Sequence, residues 1–338
     1  MKTPRFIQAA APVLNGAGQV MFQQSAWTGI FFLIGIFWGA YECHTPAVAW
    51  GAVVGLVASY IAGVLLEPDG KGGAAGLWGF NGILVGCAFP TFLSDTPLMW
   101  AALIFCAMLS TWVRTGLNNL MAPFKINSLT FPFVLLTWIF LLSSRILDGI
   151  APASLSTPEL TGHFSTELST SFGDLVIYWL KGISQVFLIN SWVTGILFLV
   201  GLALCSRWAA AWAAIGSAIS LALAILFKAD GADIASGLFG FSPVLTGIAI
   251  GCTFYQPNVK SAVWAVVAII ATFFIQAAMD VFMMPFGLPT LTGPFCITTW
   301  LFLLPLYKFK KNVDTHTEWD SAWDGFVANL RDDKTDKK

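Results

Sequence analysis

The sequence predicts an all-α polytopic membrane protein, with about ten transmembrane helices and two shorter glycine-rich helices in two inverted-topology repeats. The composition places the chain in lipid, and three paired sequence blocks divide it into two related halves. Each half is expected to cross the membrane about five times. Because that number is odd, the second half enters the membrane from the opposite side, as in many transport proteins.

The composition is that of a lipid-embedded chain. Of 338 residues, 57% are hydrophobic and 10% are charged, whereas a soluble domain carries about 25% charged residues. A helix needs roughly 20 apolar residues to cross about 30 Å of hydrocarbon. Clear candidates are residues 47–66, 97–113, 128–142 and 261–279. A formal net charge of -1 gives no reason to expect a nucleic-acid partner.

Three ordered blocks recur at a nearly constant spacing. Residues 18–29 match 184–195, and residues 69–86 match 230–247. Residues 129–142 (LTFPFVLLTWIFLL) match 291–304 (LTGPFCITTWLFLL) at nine of fourteen positions. Internal repeats of this length indicate repeated structure, so we expect two copies of one structural unit.

The repeats predict a division of the chain into a first repeat (1–147), a linker (148–172), a second inverted repeat (173–310) and a tail (311–338). Basic residues precede the first helix and follow the last, while the stretch 143–174, which includes the linker, holds a single one, Arg145. The positive-inside rule therefore places both termini in the cytoplasm and the linker outside. Apolar residues at helical spacing predict a short amphipathic helix in the tail; a partly disordered tail is the alternative.

Chemistry that an enzyme or an ion-coupled pump needs is scarce. Asp280 follows an apolar run and Glu42 ends one, and a structural or interfacial role is favoured for Asp280 because Pro285 soon follows. No phosphate-binding lysine motif and no nucleophile motif occurs. The three histidines are expected in a loop (His44), in the linker (His163) and in the tail (His316). From these places they form neither a pair of pore-lining histidines nor a metal cluster. We expect no enzyme activity and no cofactor, and a solute path lined by neutral groups.

The six scattered cysteines are expected to be packing residues, and the N-terminus shows no removable signal peptide.

Two decapeptides are the best indication of a transport pathway. LWGFNGILVG (77–86) and LFGFSPVLTG (238–247) interrupt apolar segments with glycine, and the second adds a proline. Such backbone at membrane depth either lines a cavity or serves close helix packing. A matched pair in two inverted halves favours the pathway. The aromatic and leucine residues shared by both copies lie one helical turn apart and predict a flat slot: Phe80, Leu84, Phe241 and Leu245.

Two further equivalent pairs carry polar groups. Gln19 and Gln185 each lie in a largely apolar helix, where a buried amide must meet a partner, water or a solute. Thr130 and Thr292 each precede a proline by two residues. Their hydroxyls either add to the pathway or bond to carbonyls of their own helices.

The decapeptides, the paired Gln-Val blocks and the paired LTxPF blocks resemble the urea transporters, in their bacterial single-unit form. The resemblance implies ten spanning helices and two partial pore helices around a pore in each protomer, three protomers in a trimer, and a location in the plasma membrane, in a bacterium the inner membrane. It implies that the decapeptide slots are completed by Val20, Phe22, Val186 and Leu188, that Gln19 and Gln185 contact the solute at the mouths, and that Thr130 and Thr292 line the middle. The chain departs from many relatives, which carry Asn-Pro where Gln24-Ser25 and Asn190-Ser191 stand here, so the resemblance does not extend to the local helix starts.

The function expected from residues and resemblance together is passive, channel-like conduction of urea, a planar uncharged amide. A channel for another small neutral amide, water or ammonia is an alternative, although the pore histidines and NPA motifs of ammonia and water channels are missing. An ion-coupled secondary transporter using Asp280 or Glu42 is the second alternative, and a membrane enzyme is remote.

Overall fold

The fold is described from a computed structural model, over residues 5–66, 71–160 and 165–305. Within these ranges the chain is helical and has no β-strand, apart from an isolated bridge between Leu93 and Pro152. The predicted all-α class is confirmed. The predicted tail helix, His163, His316 and the basic residues flanking the last helix lie outside the described residues.

The same order of seven helices occurs twice. The first half contains α1 (Arg5–Gln19), α2 (Ala26–Glu42), α3 (Pro46–Leu66), α4 (Lys71–Ala74), α5 (Phe80–Phe92), α6 (Pro97–Met121) and α7 (Phe131–Ser143). The second half contains α8 (Phe172–Ser184), α9 (Trp192–Cys205), α10 (Arg207–Leu226), α11 (Gly231–Ala235), α12 (Phe241–Ile248), α13 (Val259–Met283) and α14 (Gly293–Leu303). Each helix of the first half thus has a counterpart seven helices later.

Several helices are long and apolar enough to cross a membrane. Four reach that length alone, some with a terminal 3-10 turn: Pro46–Leu66, Pro97–Phe124, Arg207–Leu226 and Val259–Phe286. Phe172–Phe187 and Trp192–Cys205 reach it together as a pair bent by 71°. Other apolar helices of the described chain hold 10–17 residues, fewer than the roughly 20 of a simple span. The architecture is that of a polytopic membrane protein, and the total of about ten crossings stays a prediction.

Breaks in the chain occur at equivalent places in the two halves. Phe22 (φ 62°) follows α1 and Leu188 (φ 61°) follows α8, both in the left-handed region that ends a helix. Ser25 and Ser191 then cap α2 and α9, each accepting at 3.3 Å from the backbone N–H three residues further on. The serines at the positions where relatives carry proline therefore supply regular helix starts.

Helices α2 and α9 pack together through reciprocal hydrogen bonds. Thr28 Oγ1 donates to Gly201 O at 2.8 Å, and Thr194 Oγ1 donates to Gly35 O at 2.7 Å. The two threonines lie 166 positions apart, and so do the two glycines. Each half therefore donates one threonine-to-glycine hydrogen bond and accepts the equivalent one, as two halves related by a two-fold axis must.

A second reciprocal pair joins α7 to the loop before α14 and α14 to the loop before α7. Trp138 Nε1 donates to Pro289 O at 2.8 Å, and Trp300 Nε1 donates to Asn127 O at 2.7 Å. Donors and acceptors are again equivalent residues, here 162 positions apart. The two contacts hold the segments that carry Thr130 and Thr292 against the opposite half.

The glycines of the first decapeptide pack α5 against α3. A Cβ at Gly86 would lie 2.0 Å from Gly51 O, and one at Gly82 would lie 2.4 Å from Gly55 O. Neither position tolerates a side chain, so these glycines serve close packing, the alternative to lining a pathway. The break expected within the decapeptide is present, because α5 begins at Phe80 after a turn over residues 75–79.

The two short helices after the decapeptides end differently. Helix α5 continues as an α-helix to Phe92, with Pro90 inside it. Helix α12 gives way to a π-helical turn, Ala249–Thr253, in which Gly251 lies against the Trp212 ring. Such π-turns are common at functional sites, and this one ends at the cavity described next.

Candidate solute pathway

A cavity of about 420 Å³, counted with its opening to solvent, lies between the two halves. It is lined by Gln19, Val20, Phe22, Leu77, Phe80, Leu129, Thr130, Thr253, Phe254 and Phe295. Five residues predicted from sequence meet there: Gln19, Val20, Phe22, Phe80 and Thr130. The π-turn and α14 supply the lining from the second half.

Aromatic rings form much of the cavity wall. The Phe22 ring meets Phe254 edge-on at 5.7 Å between centroids and Phe295 at 6.0 Å. Phe80 contributes a fourth ring. Phe254 and Phe295 were missed by the sequence reasoning, because Phe254 lies beyond the decapeptide and Phe295 was matched only as part of the LTxPF block.

The two equivalent threonines meet at one end of this cavity. Their Oγ1 atoms lie 2.6 Å apart, and the Cys296 thiol is 3.4 Å from Thr130 Oγ1. Leu129 (φ 52°) and Leu291 (φ 51°) turn the chain just before each threonine. The hydroxyls therefore bond to each other across the halves and not to carbonyls of their own helices.

The two equivalent glutamines make the same hydrogen bond. Gln19 Nε2 donates to Ala75 O at 2.8 Å, and Gln185 Nε2 donates to Ser236 O at 2.8 Å. Both acceptors lie in the turn that leads into a decapeptide. The bond orients each amide, and it leaves the side-chain oxygen as an acceptor.

Other predicted residues do not line this cavity. Leu84 and its counterpart Leu245 are fully buried in the hydrophobic core. Val186 and Phe241 are also buried there, while Leu188 packs against it from a half-buried position. Gln185 is absent from the lining, and Thr292 reaches the cavity only through its bond to Thr130. A smaller cavity of about 200 Å³ in the second half, between α8, α10 and the turn before α12, contains none of the predicted site residues.

Comparison with known proteins identifies the family. The family described as "Urea transporter" matches residues 10–307. The chain belongs to the urea transporter family. The proteins named "Urea transporter 1" from Ovis aries, Capra hircus and Rattus norvegicus are each 29% identical over 305 residues, which cover 89% of this chain and 78% of each relative. The resemblance drawn from the sequence motifs is confirmed, and a protein of this family is a multi-pass membrane transporter and not an enzyme.

The acidic residues weighed for ion coupling in this urea transporter family member have structural partners. Asp280 Oδ1 accepts from Thr290 Oγ1 at 3.0 Å. Its counterpart Asn118 accepts from the Ser128 hydroxyl at 2.7 Å in the same place of the first half. Both pairs anchor the loop ahead of a pathway threonine. Glu42 accepts from the Ser191 hydroxyl at 2.5 Å, between the halves.

A buried cation lies against the ring of Phe80, a residue that lines the cavity, although the sequence predicted a solute path lined by neutral groups. Arg114 is 7% exposed, and its guanidinium carbon lies 5.7 Å from the centroid of the Phe80 ring. It is the one charged residue of α6. A single charged residue in an otherwise uncharged apolar helix was a usable signal, since ionisable residues inside membrane segments are rare and functional.

Proposed function

We propose that this protein is a passive channel that conducts urea through a pore running along the cavity and the threonine pair. The observation that carries the proposal is the junction of Thr130 and Thr292, which meet at 2.6 Å at the end of an aromatic cavity built by both halves. A pore shared by two inverted halves crosses their two-fold axis at its middle, and equivalent residues of the two halves touch each other at that axis.

The wall chemistry complements a planar neutral amide. Phe22, Phe80 and Phe254 offer flat apolar surfaces to the faces of urea. The oxygens of Gln19 and Thr130 accept from its N–H groups and replace bonds lost from water. An ion would give up its hydration shell and receive little in return, since a buried charge needs full compensation.

We infer that the second half supplies the other mouth of the pore. The supporting observation is the equivalence of the bonds made by Gln19 and Gln185 and of the backbone at Phe22 and Leu188. The residues proposed for that mouth are Gln185, Val186, Leu188, Phe241, Leu245 and Thr292, with Leu84 completing the slot of the first half. They are closely packed in the structure, so conduction requires side chains there to move aside.

The wider organisation is proposed on the same basis. Reciprocal contacts support two repeats, 1–147 and 173–310, inserted with opposite orientation and joined by an external linker, 148–172. Both termini are then cytoplasmic and the membrane is the plasma membrane. Family membership supports urea as the solute, and a homotrimer is proposed on the resemblance given in the sequence analysis.

Solute selectivity tests the pore directly. Vesicles that contain the purified protein are shrunk by a gradient of urea or of acetamide, and re-swelling is followed by light scattering. The proposal expects rapid re-swelling with urea and slower re-swelling with acetamide, whose methyl group cannot donate to the glutamine and threonine oxygens. Equal rates for both would favour a general channel for small amides, and rapid water flow with neither solute entering would favour a water channel.

A further inference from the structure

Three side chains form a hydrogen-bonded chain at the junction of the two halves. Thr292 Oγ1 lies 2.6 Å from Thr130 Oγ1, and Thr130 Oγ1 lies 3.4 Å from the Sγ atom of Cys296. All three side chains are buried, and Thr130 is the member that lines the cavity. The thiol therefore contacts the hydroxyl that a solute in the cavity meets.

The thiol has no counterpart in the first half. Cys296 in α14 corresponds to Val134 in α7, 162 positions earlier, and a valine side chain neither donates nor accepts a hydrogen bond. Thr130 thus has two side-chain partners, whereas Thr292 has one within the described part of the chain. The two threonines are equivalent in sequence, but their surroundings differ.

The number of hydrogens and lone pairs limits what the Thr130 hydroxyl offers to a solute. A hydroxyl has one hydrogen and two lone pairs, while a thiol is a weak donor and a weak acceptor. Both strong donors are engaged when Thr292 donates to Thr130 and Thr130 donates to Cys296. One lone pair of Thr130 then stays free, as it does if all bonds run the other way. A hydrogen of Thr130 aimed into the aromatic cavity would lack a partner, which costs free energy.

We propose that Cys296 determines specificity by holding the Thr130 hydroxyl as an acceptor for N–H groups of the solute. This inference rests on the proposed urea pathway and adds a positioning residue to it. Urea has an amino group on each side of its carbonyl, whereas acetamide has a methyl group on one side. An acceptor therefore favours urea. A hydroxyl that also donated would bind the carbonyl oxygen of either solute and would discriminate less.

The experiment measures the acetamide-to-urea permeability ratio of proteoliposomes that contain the full-length protein, after subtraction of the rates in protein-free liposomes. Cys296→Val copies the residue of the first half and frees the hydrogen of Thr130. The net contribution of one hydrogen bond corresponds to about two-fold to twelve-fold, and we expect the ratio to rise by that factor. A ratio that stays within about two-fold of wild type in folded Cys296→Val overturns the proposal.

Cys106→Val is the matched control for this substitution. The Cys106 thiol is fully buried in α6 and makes no hydrogen bond within the described part of the chain. We expect its ratio to stay within about two-fold of wild type. An equal rise in Cys106→Val and Cys296→Val would show a general effect of packing and would overturn the proposal.

An infrared measurement tests the hydrogen bond independently of flux. The difference spectrum between wild type and Cys296→Ala isolates the S–H stretching band of Cys296. The same difference in a Thr130→Val background should show a shifted band, because the thiol has lost its hydroxyl partner. An unshifted band overturns the proposal.

Two provisions keep the flux experiment decisive. If Cys296→Val does not elute as a folded protein in detergent, Cys296→Ala removes the thiol without adding bulk and replaces it in the comparison. Absence of urea flux in wild type would instead overturn the proposed urea pathway, so the two failures are distinguishable.

Discussion

At the scale of single residues, the central feature is one hydroxyl from each half meeting at the end of the cavity. Thr130 and Thr292 are each 3% exposed and hydrogen-bond to each other. A desolvated urea molecule that passes them needs an acceptor for its N–H groups, and either hydroxyl oxygen can serve. Replacing either threonine is therefore expected to lower urea flux more than it lowers the stability of the fold.

Replacing Thr130 by valine tests this role while preserving the shape of the side chain. An unpartnered buried N–H group costs about 1 to 3 kcal/mol, which corresponds to a loss of urea flux of about five-fold to 150-fold. Thr298→Val is the matched control, because Thr298 Oγ1 is fully buried and donates to Pro294 O of its own helix at 2.8 Å. Wild-type flux in Thr130→Val at equal protein amount would remove this residue from the pathway.

Gln185 tests the mouth assigned to the second half. Gln185→Ala removes the acceptor proposed for urea and leaves Ser236 O without its donor, so we expect urea flux to fall about ten-fold or more. Gln23→Ala provides the comparison, since Gln23 Nε2 is buried and donates locally to Met21 O at 2.8 Å. An equal loss in both variants would point to damaged folding and count against a specific role for Gln185.

At the scale of helices, the contact between α3 and α5 depends on backbone approaching backbone. Gly86→Ala places a methyl group 2.0 Å from Gly51 O, so the helices must separate. Overpacking of this kind costs about 1 to 3 kcal/mol. We expect a lower Tm in detergent and less folded protein in the membrane.

Gly116 in α6 provides the control for this Tm measurement. Nothing lies within 4 Å of a Cβ built on Gly116 in α6, and alanine in a helix is better than glycine by about 0.5 to 1 kcal/mol. Gly116→Ala should therefore keep or raise the Tm. A Gly86→Ala variant as stable as Gly116→Ala would show that the close packing of α3 and α5 is unimportant.

Much of the helix plan was predictable from the sequence. The apolar run 47–66 became Pro46–Leu66, and the run 261–279 became the core of Val259–Met283. Helix breaks were harder to predict, because they depend on left-handed residues such as Phe22 and Leu188, whose side chains carry no turn signal. The π-turn after α12 likewise carries no sequence signal, and its Gly251 lies against the Trp212 ring.

The cavity lining was only partly predictable, because residues at equivalent sequence positions of the two halves pack differently. Thr253 and Phe254 reach the cavity at the end of the π-turn. Leu93, the counterpart of Phe254, instead forms a β-bridge to the linker at Pro152. Residues that are equivalent in sequence therefore have different neighbours. In the same way, Phe80 lines the cavity and its counterpart Phe241 does not.

At the scale of the whole molecule, two sequence-related halves enclose a cavity that is lined mainly by the first half. The first half contributes most of the open cavity and the buried Arg114, while the second half contributes the closely packed side. The acidic residues considered for ion coupling, Glu42 and Asp280, are both bonded to structural partners. Flux through such a molecule is expected to follow the urea gradient alone.

The most direct test of this account is uptake of labelled urea into proteoliposomes, with and without proton and sodium gradients. A passive channel predicts the same initial rate in every condition and a final internal concentration equal to the external one. Accumulation of urea above the external concentration, driven by either ion gradient, would contradict the account, and so would uptake no faster than in protein-free liposomes.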